Sequence, residues 1–451
     1  MKVDIIIPKA TKGEFSKIKL CYVNLEGESI QVLLNIDFKN LYMFTKQING
    51  IGFDLFLIGC IIYGIDVLLL RDKFSINGWS REIEVEFPVE SPDIFNKGKY
   101  ILEQLLSFLT GDSWSISFSQ RNAQPIYRSK KIKVYKDSYR ASHKKVSLFS
   151  GGLDSLIGVI DQLASSDDRI VLVSHYDSIF KGMKSDQDKL SKPLSKKYSH
   201  YHLLQTRVDL SNSDLNDNNR DNESSLRSRS FLFLCKAVFV ANAIGDNIDV
   251  LIPENGTISL NHPLTPSRRS SCSTRTAHPY YLSKVSEFIS ILGLRHSIKN
   301  EYAMKTKGEM LEECKNKDLL LALYKSSCSC AKRGHKIHWE FRTATHCGIC
   351  MPCLYRRVAL NKIGIDNEIV GIDLFNPNRS LNKLPDIPAF FDYIMQPLAI
   401  KDIEKNLLIN GTLPLDKLRE YANVVYRTRS EIKKWIKEKG SDEVKKMLGL
   451  C

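Results

Sequence analysis

The stretch KVSLFSGGLDSLIG, residues 145–158, leaves the backbone few choices. A short β-branched and aromatic run suited to a buried strand meets two adjacent glycines, and a helical pattern begins at Asp154. In Ser150-Gly151-Gly152-Leu153-Asp154-Ser155 the glycines can take positive φ and bring backbone N–H groups to an anion with no Cβ in the way. The helix after them points its partial positive end at that anion, and Ser150 and Ser155 add hydroxyl donors. The stretch reads as a phosphate cradle, with Asp154 in a surface turn that the core does not need.

The pattern beyond the cradle sets the fold class. Strand-like runs at 169–177, 201–210 and 247–255 alternate with helical patterns at 154–165 and 228–245, separated by a polar Lys- and Ser-rich stretch at 181–200. Such alternation predicts an α/β fold: a parallel sheet with helices on both faces. Ligands of such sheets bind beyond the carboxyl ends of the strands, where 150–155 falls. Ahead of it, residues 1–127 mix strand runs (IQVLLNIDF, REIEVEFPV, SWSISFS) with helical ones and read as a small α+β domain without an evident site. The expected division is 1–127, a basic linker 128–145, an α/β domain 146–365 and a helical extension 366–451.

The glycine loop also excludes chemistry. A Walker A loop needs a Lys-Ser/Thr pair closing a longer glycine run, and a Rossmann loop needs G-x-G-x-x-G; neither is present. The net charge of +14 favours anionic partners, and the linker alone holds eight Lys or Arg against one Asp. The run IGFDLFLIGCIIYGIDVLLL (51–70) is long enough to cross a bilayer, but Asp54 and Asp66 make a buried core helix the better reading. The opening MKVDIIIPKATKGEF lacks a sustained apolar stretch and a cleavage site, which predicts a cytoplasmic protein.

Eleven cysteines in a reducing compartment are not a disulfide framework. Cys21, Cys60, Cys235, Cys272, Cys314 and Cys451 are scattered, whereas Cys328, Cys330, Cys347, Cys350 and Cys353 fall within 26 residues. Cys347, Cys350 and Cys353 are spaced C-x2-C-x2-C, so three thiolates can converge from one knuckle while a remote cysteine closes a tetrahedron at about 2.3 Å per Zn–S bond. The ferredoxin run would place a further cysteine at 357, which is Arg, so zinc is expected over iron–sulfur. Four thiolates leave no open position, which predicts a structural role. His335, His338 and His346 lie nearby and read as surface residues or as supports behind the ligands.

The S-G-G-x-D-S loop closely resembles the PP-loop of the ATP pyrophosphatases. That resemblance implies that Ser150 to Ser155 bind ATP with the α-phosphate open to a substrate oxygen, that AMP and pyrophosphate are released, and that Asp154 and Ser155 are catalytic, Asp154 helping to hold Mg²⁺. The later S-C and C-G-x-C-x-x-C-x-x-R elements extend the resemblance, over about 145–365, to the 7-cyano-7-deazaguanine synthase (QueC) family. The stretch 254–281, with N-H-P-L-T-P and S-T-R-T-A-H-P, is similar to the QueC-like QatC-type proteins of anti-phage defence systems.

The resemblance carries further expectations. Zinc is held by Cys328, Cys347, Cys350 and Cys353, with Cys328 preferred to Cys330. The substrate is a 7-deazaguanine-type carboxylate, bound by Arg229, Asn255, Arg275 and His278. In the defence branch the activated group passes to an amine of a partner protein from the same operon. The chain exceeds the biosynthetic enzymes by about half its length, so queuosine biosynthesis is an alternative, as are a non-catalytic nucleotide-binding module and a PP-loop enzyme modifying tRNA. The last should carry a catalytic cysteine pair outside the zinc set, for which Cys235 and Cys272 are the candidates.

Overall fold

The computed structural model describes residues 1–9, 16–126, 132–180, 182–216, 218, 220–263, 275–376, 384 and 387–450, with side chains described from residue 18 in the second segment. Cys272, Cys451, the first four residues of the expected linker and much of the 254–281 stretch lie outside the described residues.

Ten strands are described: β1 (Lys2–Ile6), β2 (Ser16–Val23), β3 (Ser29–Ile36), β4 (Glu82–Val89), β5 (Ser113–Gln120), β6 (His143–Leu148), β7 (Arg169–Tyr176), β8 (Tyr201–Leu210), β9 (Asp249–Leu251) and β10 (Ser297–Lys299). They form one sheet in the order β10-β9-β6-β7-β8-β3-β2-β1-β4-β5. Six of the nine pairings are parallel, and the three antiparallel ones join β8 to β3, β3 to β2 and β2 to β1. The molecule is therefore α/β with a large, mostly parallel sheet.

The sheet runs unbroken through the boundary expected at 127–145. β3 pairs with β8 through Leu34↔Leu210, Asn35↔Asp209 and Ile36↔Val208, and β6 begins at His143, inside the basic stretch.

Period-two burial shows how the two ends of the sheet differ. In β7, Val171 and Val173 join the core made with helices 51–68 and 229–244, whereas Ile170 and Leu172 join the core made with helix 153–165. Both faces are covered there, so the strand is almost continuously apolar. In β4, Ile83, Val85, Phe87 and Val89 are buried while Glu82, Glu84 and Glu86 face solvent, so that end is covered on one face only.

The apolar helix Ile51–Leu68 is the only described helix long and apolar enough to cross a membrane, and 94% of it is buried inside the fold. Its two carboxylates are paired: Asp54 with Arg121 at 3.0 Å and Asp66 with Arg81 at 2.6 Å. It packs on helix Arg229–Ile244, where Phe38, Phe53 and Phe56 surround Phe239.

Candidate functional site

Counted in chain order, β6 to β10 lie 3-2-1-4-5 across their half of the sheet, the order of doubly wound nucleotide-binding sheets. The winding direction reverses between β6 and β9, and the crevice at that switch point is where such sheets take ligands. The segments leaving the carboxyl ends of these two strands are Phe149–Gly152 and Ile252–Asn255. The glycine loop is thus one wall of the crevice, and Pro253-Glu254-Asn255 is the other.

Gly151 sits at φ +88°, a conformation that disfavours any side chain, and a Cβ there would lie 3.3 Å from the Gln187 backbone nitrogen. The Ser150 hydroxyl oxygen accepts from the Gly152 N–H at 3.3 Å, and the Ser155 hydroxyl donates to the Gly152 carbonyl at 3.0 Å. Helix Leu153–Ser165 starts immediately afterwards. Gly158 in that helix lets it approach the opposite wall, since a Cβ would fall 2.2 Å from Pro253 Cβ.

Across the crevice Asp154 is gripped on both oxygens. Oδ2 accepts from Asn255 Nδ2 at 2.7 Å and Oδ1 accepts from Lys307 Nζ at 2.5 Å. Asn255 also caps the short helix after it by accepting from the Ile258 N–H at 3.1 Å. Burial opposes the Asp154 charge, but Lys307 and hydrogen bonds from Glu254, Lys307 and Asn255 hold its carboxyl below the usual range. Burial and the neighbouring Asp154 charge push the Glu254 carboxyl well up, so the proton of this acidic pair resides on Glu254.

This corrects one expectation. Asp154 does not sit in a dispensable surface turn: it is 7% exposed and ion-paired, because Asn255 and Lys307 close over it. Lys307 and Glu254 are functional candidates that the sequence reading missed. The only local signal was T-K-G-E at 306–309, a capping box that begins a helix at Lys307.

Among the described contacts, the remaining substrate candidates meet residues outside the loop. Arg229 opens the 229–244 helix with its guanidinium over the Phe233 ring at 5.7 Å; burial lowers its pKa, against the charges of Tyr63 and Asp177. Arg275 donates to the Phe108 carbonyl at 2.8 Å and stacks on that ring, and His278 lies 5.1 Å from the same ring. Of the four, Asn255 alone is placed against the loop by a hydrogen bond to Asp154.

The cysteine cluster lies beside the same loop. Cys330, Cys347, Cys350 and Cys353 bring their sulfurs within 4.8 Å of one another, and Cys347 and Cys353 are 3.7 Å apart. A tetrahedron with bonds of about 2.3 Å has edges of about 3.8 Å, so the four fit a zinc ion.

The expected fourth ligand, Cys328, is replaced by Cys330. The reason is a hydrogen bond: the Cys328 N–H donates to the Gly151 carbonyl at 3.0 Å, fixing this residue over the glycine loop, while two residues on the Cys330 sulfur accepts from the Cys347 N–H at 3.3 Å. Arg356 fastens the arrangement, donating to Ser327 Oγ at 2.9 Å, the Tyr324 carbonyl at 2.7 Å and both oxygens of Glu368. His346 supports the cluster from behind, its Nε2 accepting from the Ser329 N–H at 3.4 Å, and His335 and His338 are exposed.

No family model, curated protein or solved structure matches the chain. Fold and site define an α/β protein with a doubly wound half-sheet, a buried Asp–Lys–Asn cluster at its switch point and a four-cysteine cluster able to hold a metal.

Proposed function

We propose that this protein is an ATP-dependent adenylating enzyme that activates a 7-deazaguanine-type carboxylate, releasing AMP and pyrophosphate, with the loop Ser150–Ser155 as its nucleotide cradle. The observation that carries the reading is the placement of Asp154, at the end of that loop and the switch point of the sheet, between Asn255 and Lys307. Lys307 is the cation that a triphosphate site needs and that the loop's own sequence lacks.

The residues suit their roles. Ser150, Gly151, Gly152 and Ser155 offer hydroxyl and backbone donors to phosphate oxygens. Asp154 would offer a carboxylate oxygen to Mg²⁺, and Glu254 would join it on giving up its proton; the ion, when bound, would neutralise triphosphate charge so that an oxygen can attack. Lys307 balances the remaining anionic charge. A carboxylate does not condense with an amine in water until one of its oxygens becomes a good leaving group, and AMP provides one. The cysteine cluster, carrying zinc, acts structurally by holding the 327–330 segment over the glycine loop.

The resemblance to QatC-type proteins supports a cytoplasmic role in anti-phage defence and a partner-protein amine as acceptor. An amine held about 3–3.5 Å from the acyl carbon has an effective molarity far above that of free ammonia. The RNA-modifying alternative is weakened because Cys235 is 2% exposed and packs against Gly59.

Incubation with ATP, Mg²⁺ and a 7-deazaguanine carboxylate should yield AMP and pyrophosphate; ADP and phosphate would refute the reading. An intact-mass gain on a co-expressed partner identifies a protein acceptor, and free nitrile returns the enzyme to nucleoside biosynthesis.

A further inference from the structure

The long helix Leu418–Lys439 lies in the C-terminal extension, far in sequence from the crevice, yet both arms that grip Asp154 lean on it. On the Asn255 arm, Thr257 and Thr428 share a hydroxyl–hydroxyl bond of 2.5 Å, and a Cβ on Gly256 would meet Val424 at 3.0 Å. On the Lys307 arm the contacts are polar and more numerous. Thr306, the cap of the Lys307 helix, donates its hydroxyl to Glu431 Oε1 at 2.7 Å. Glu309, which completes that cap by accepting from the Thr306 N–H, is held by Arg427 at 2.6 Å, and Arg427 also donates to the Met304 carbonyl at 2.8 Å. Lys307 thus stands between two residues that are both tied to one face of the helix, at positions 427 and 431. The arms are also tied to each other, by the Gly256 N–H donating to the Lys305 carbonyl at 2.8 Å.

These tethers exceed what is needed to cap a six-residue helix, whose box is already closed by Thr306 and Glu309. Their effect falls on Lys307, the one cation paired with Asp154 among the described residues. A helix this short has little rigidity of its own, so the direction of its first residue is set by what it is packed against.

We propose that Glu431 and Arg427 are positioning residues for the nucleotide site, fixing the Lys307 ammonium opposite Asp154 through Thr306 and Glu309. The C-terminal extension is then part of that site. The proposal rests on the adenylating reading only for its ligand; the placement of Lys307 can be measured without one.

The test uses the full-length protein in two variants. Glu431→Met removes the acceptor of the Thr306 hydroxyl, and Lys362, which Glu431 also pairs, keeps Glu312 at 3.3 Å. Arg427→Met cuts the second tether from a side chain that is 41% exposed, so the fold tolerates it. The first readout is the rate at which an amine-acylating reagent labels Lys307, read by peptide mass spectrometry. The second is ATP affinity by equilibrium dialysis with Mg²⁺, in wild-type and Lys307→Met backgrounds.

Both variants should raise Lys307 labelling and weaken ATP binding about tenfold, with Glu431→Gln, which keeps an acceptor, restoring both values. In the Lys307→Met background the loss of affinity should vanish, because residues acting through one partner are not additive. Unchanged Lys307 labelling overturns the proposal, as does an affinity loss of the same size in both backgrounds. If wild-type protein fails to bind ATP, the adenylating reading falls, and the labelling result alone still decides the positioning role.

Discussion

Asp154 and Lys307 are 153 residues apart in sequence, and each is costly to bury without the other. Asp154→Asn leaves the Lys307 ammonium without its counter-charge in a closed site, so the variant should lose activity and also roughly 3 kcal/mol of stability in urea titration. A variant as stable as wild type would show that the pair is not buried in solution. The metal site offers a cleaner residue-scale test. Cys330→Ser should lose the bound zinc in elemental analysis while Cys328→Ser keeps it; the reverse pattern would restore Cys328 as the ligand. Three ligands are legible in the sequence because C-x2-C-x2-C has its meaning within seven residues. The fourth is not, since Cys328 and Cys330 are chemically identical and only the hydrogen bond from Cys328 to Gly151 tells them apart. For Lys307 the T-K-G-E capping box marks a helix start but not a function, because nothing local marks a lysine whose partner comes from another strand's loop.

At the scale of elements, the apolar 51–68 helix ends in a network of four buried charges. Arg81 donates to Asp66 at 2.6 Å and to Asp112 at 2.7 Å, and Arg71 to Asp112 at 2.6 Å, with side chains 0–8% exposed. The network ties this helix to β4 and to the start of β5, and Asp66 also accepts from the Ser228 hydroxyl at 2.9 Å, just ahead of the 229–244 helix. Arg81→Met leaves two carboxylates short of a partner and should cost about 3–5 kcal/mol. A cost below about 1 kcal/mol, measured by urea unfolding, would mean that water reaches the site. Elements with a clear period are readable: the EIEVEFPV alternation of β4 and the apolar run of β7 stand where expected. Helix Met183–Lys197 reads only as a polar stretch, because its buried apolar side comes down to Leu190 and Leu194 among lysines and serines, with Pro193 inside it. β1, β2 and β10 escape a reading of the sequence. β10 has three residues, too few to show a period.

For the molecule as a whole, the strand and helix pattern and the basic stretch 128–145 suggest a boundary between an N-terminal α+β unit and the α/β half, and one sheet contains strands from both sides of it. β3 and β8 meet edge to edge, a pairing that no local pattern announces. The same continuity puts titratable groups deep inside. Burial lowers His175, His262 and His278 to about 3 and His202 to about 4. An unfolded histidine takes up its proton near 6.5, so between about pH 4 and 6.5 the unfolded chain binds more protons than the folded one. The stability is therefore fully present above about pH 6.5 and falls as pH drops, by up to about 1.4 kcal/mol per pH unit for each histidine. Asp54, raised to about 6 by burial, works in the opposite direction, as do Glu254, Asp177 and Glu431, whose carboxyls burial also raises; the buried histidines outnumber them, His143 and His296 being lowered by burial as well. Urea midpoints should fall from pH 7 to pH 5; a flat or rising profile would show that these rings are solvated.

Attack of a carboxylate oxygen on the α-phosphorus of ATP, the reaction proposed for the Asp154 loop, would leave an isotopic mark. In that reaction the attacking oxygen stays with phosphorus when the acyl group is passed to an amine. A 7-deazaguanine carboxylate labelled with oxygen-18 should therefore return AMP carrying one heavy oxygen, read by mass spectrometry of the nucleotide products. Label in inorganic phosphate, or unlabelled AMP alongside complete conversion of the acid, would contradict that attack.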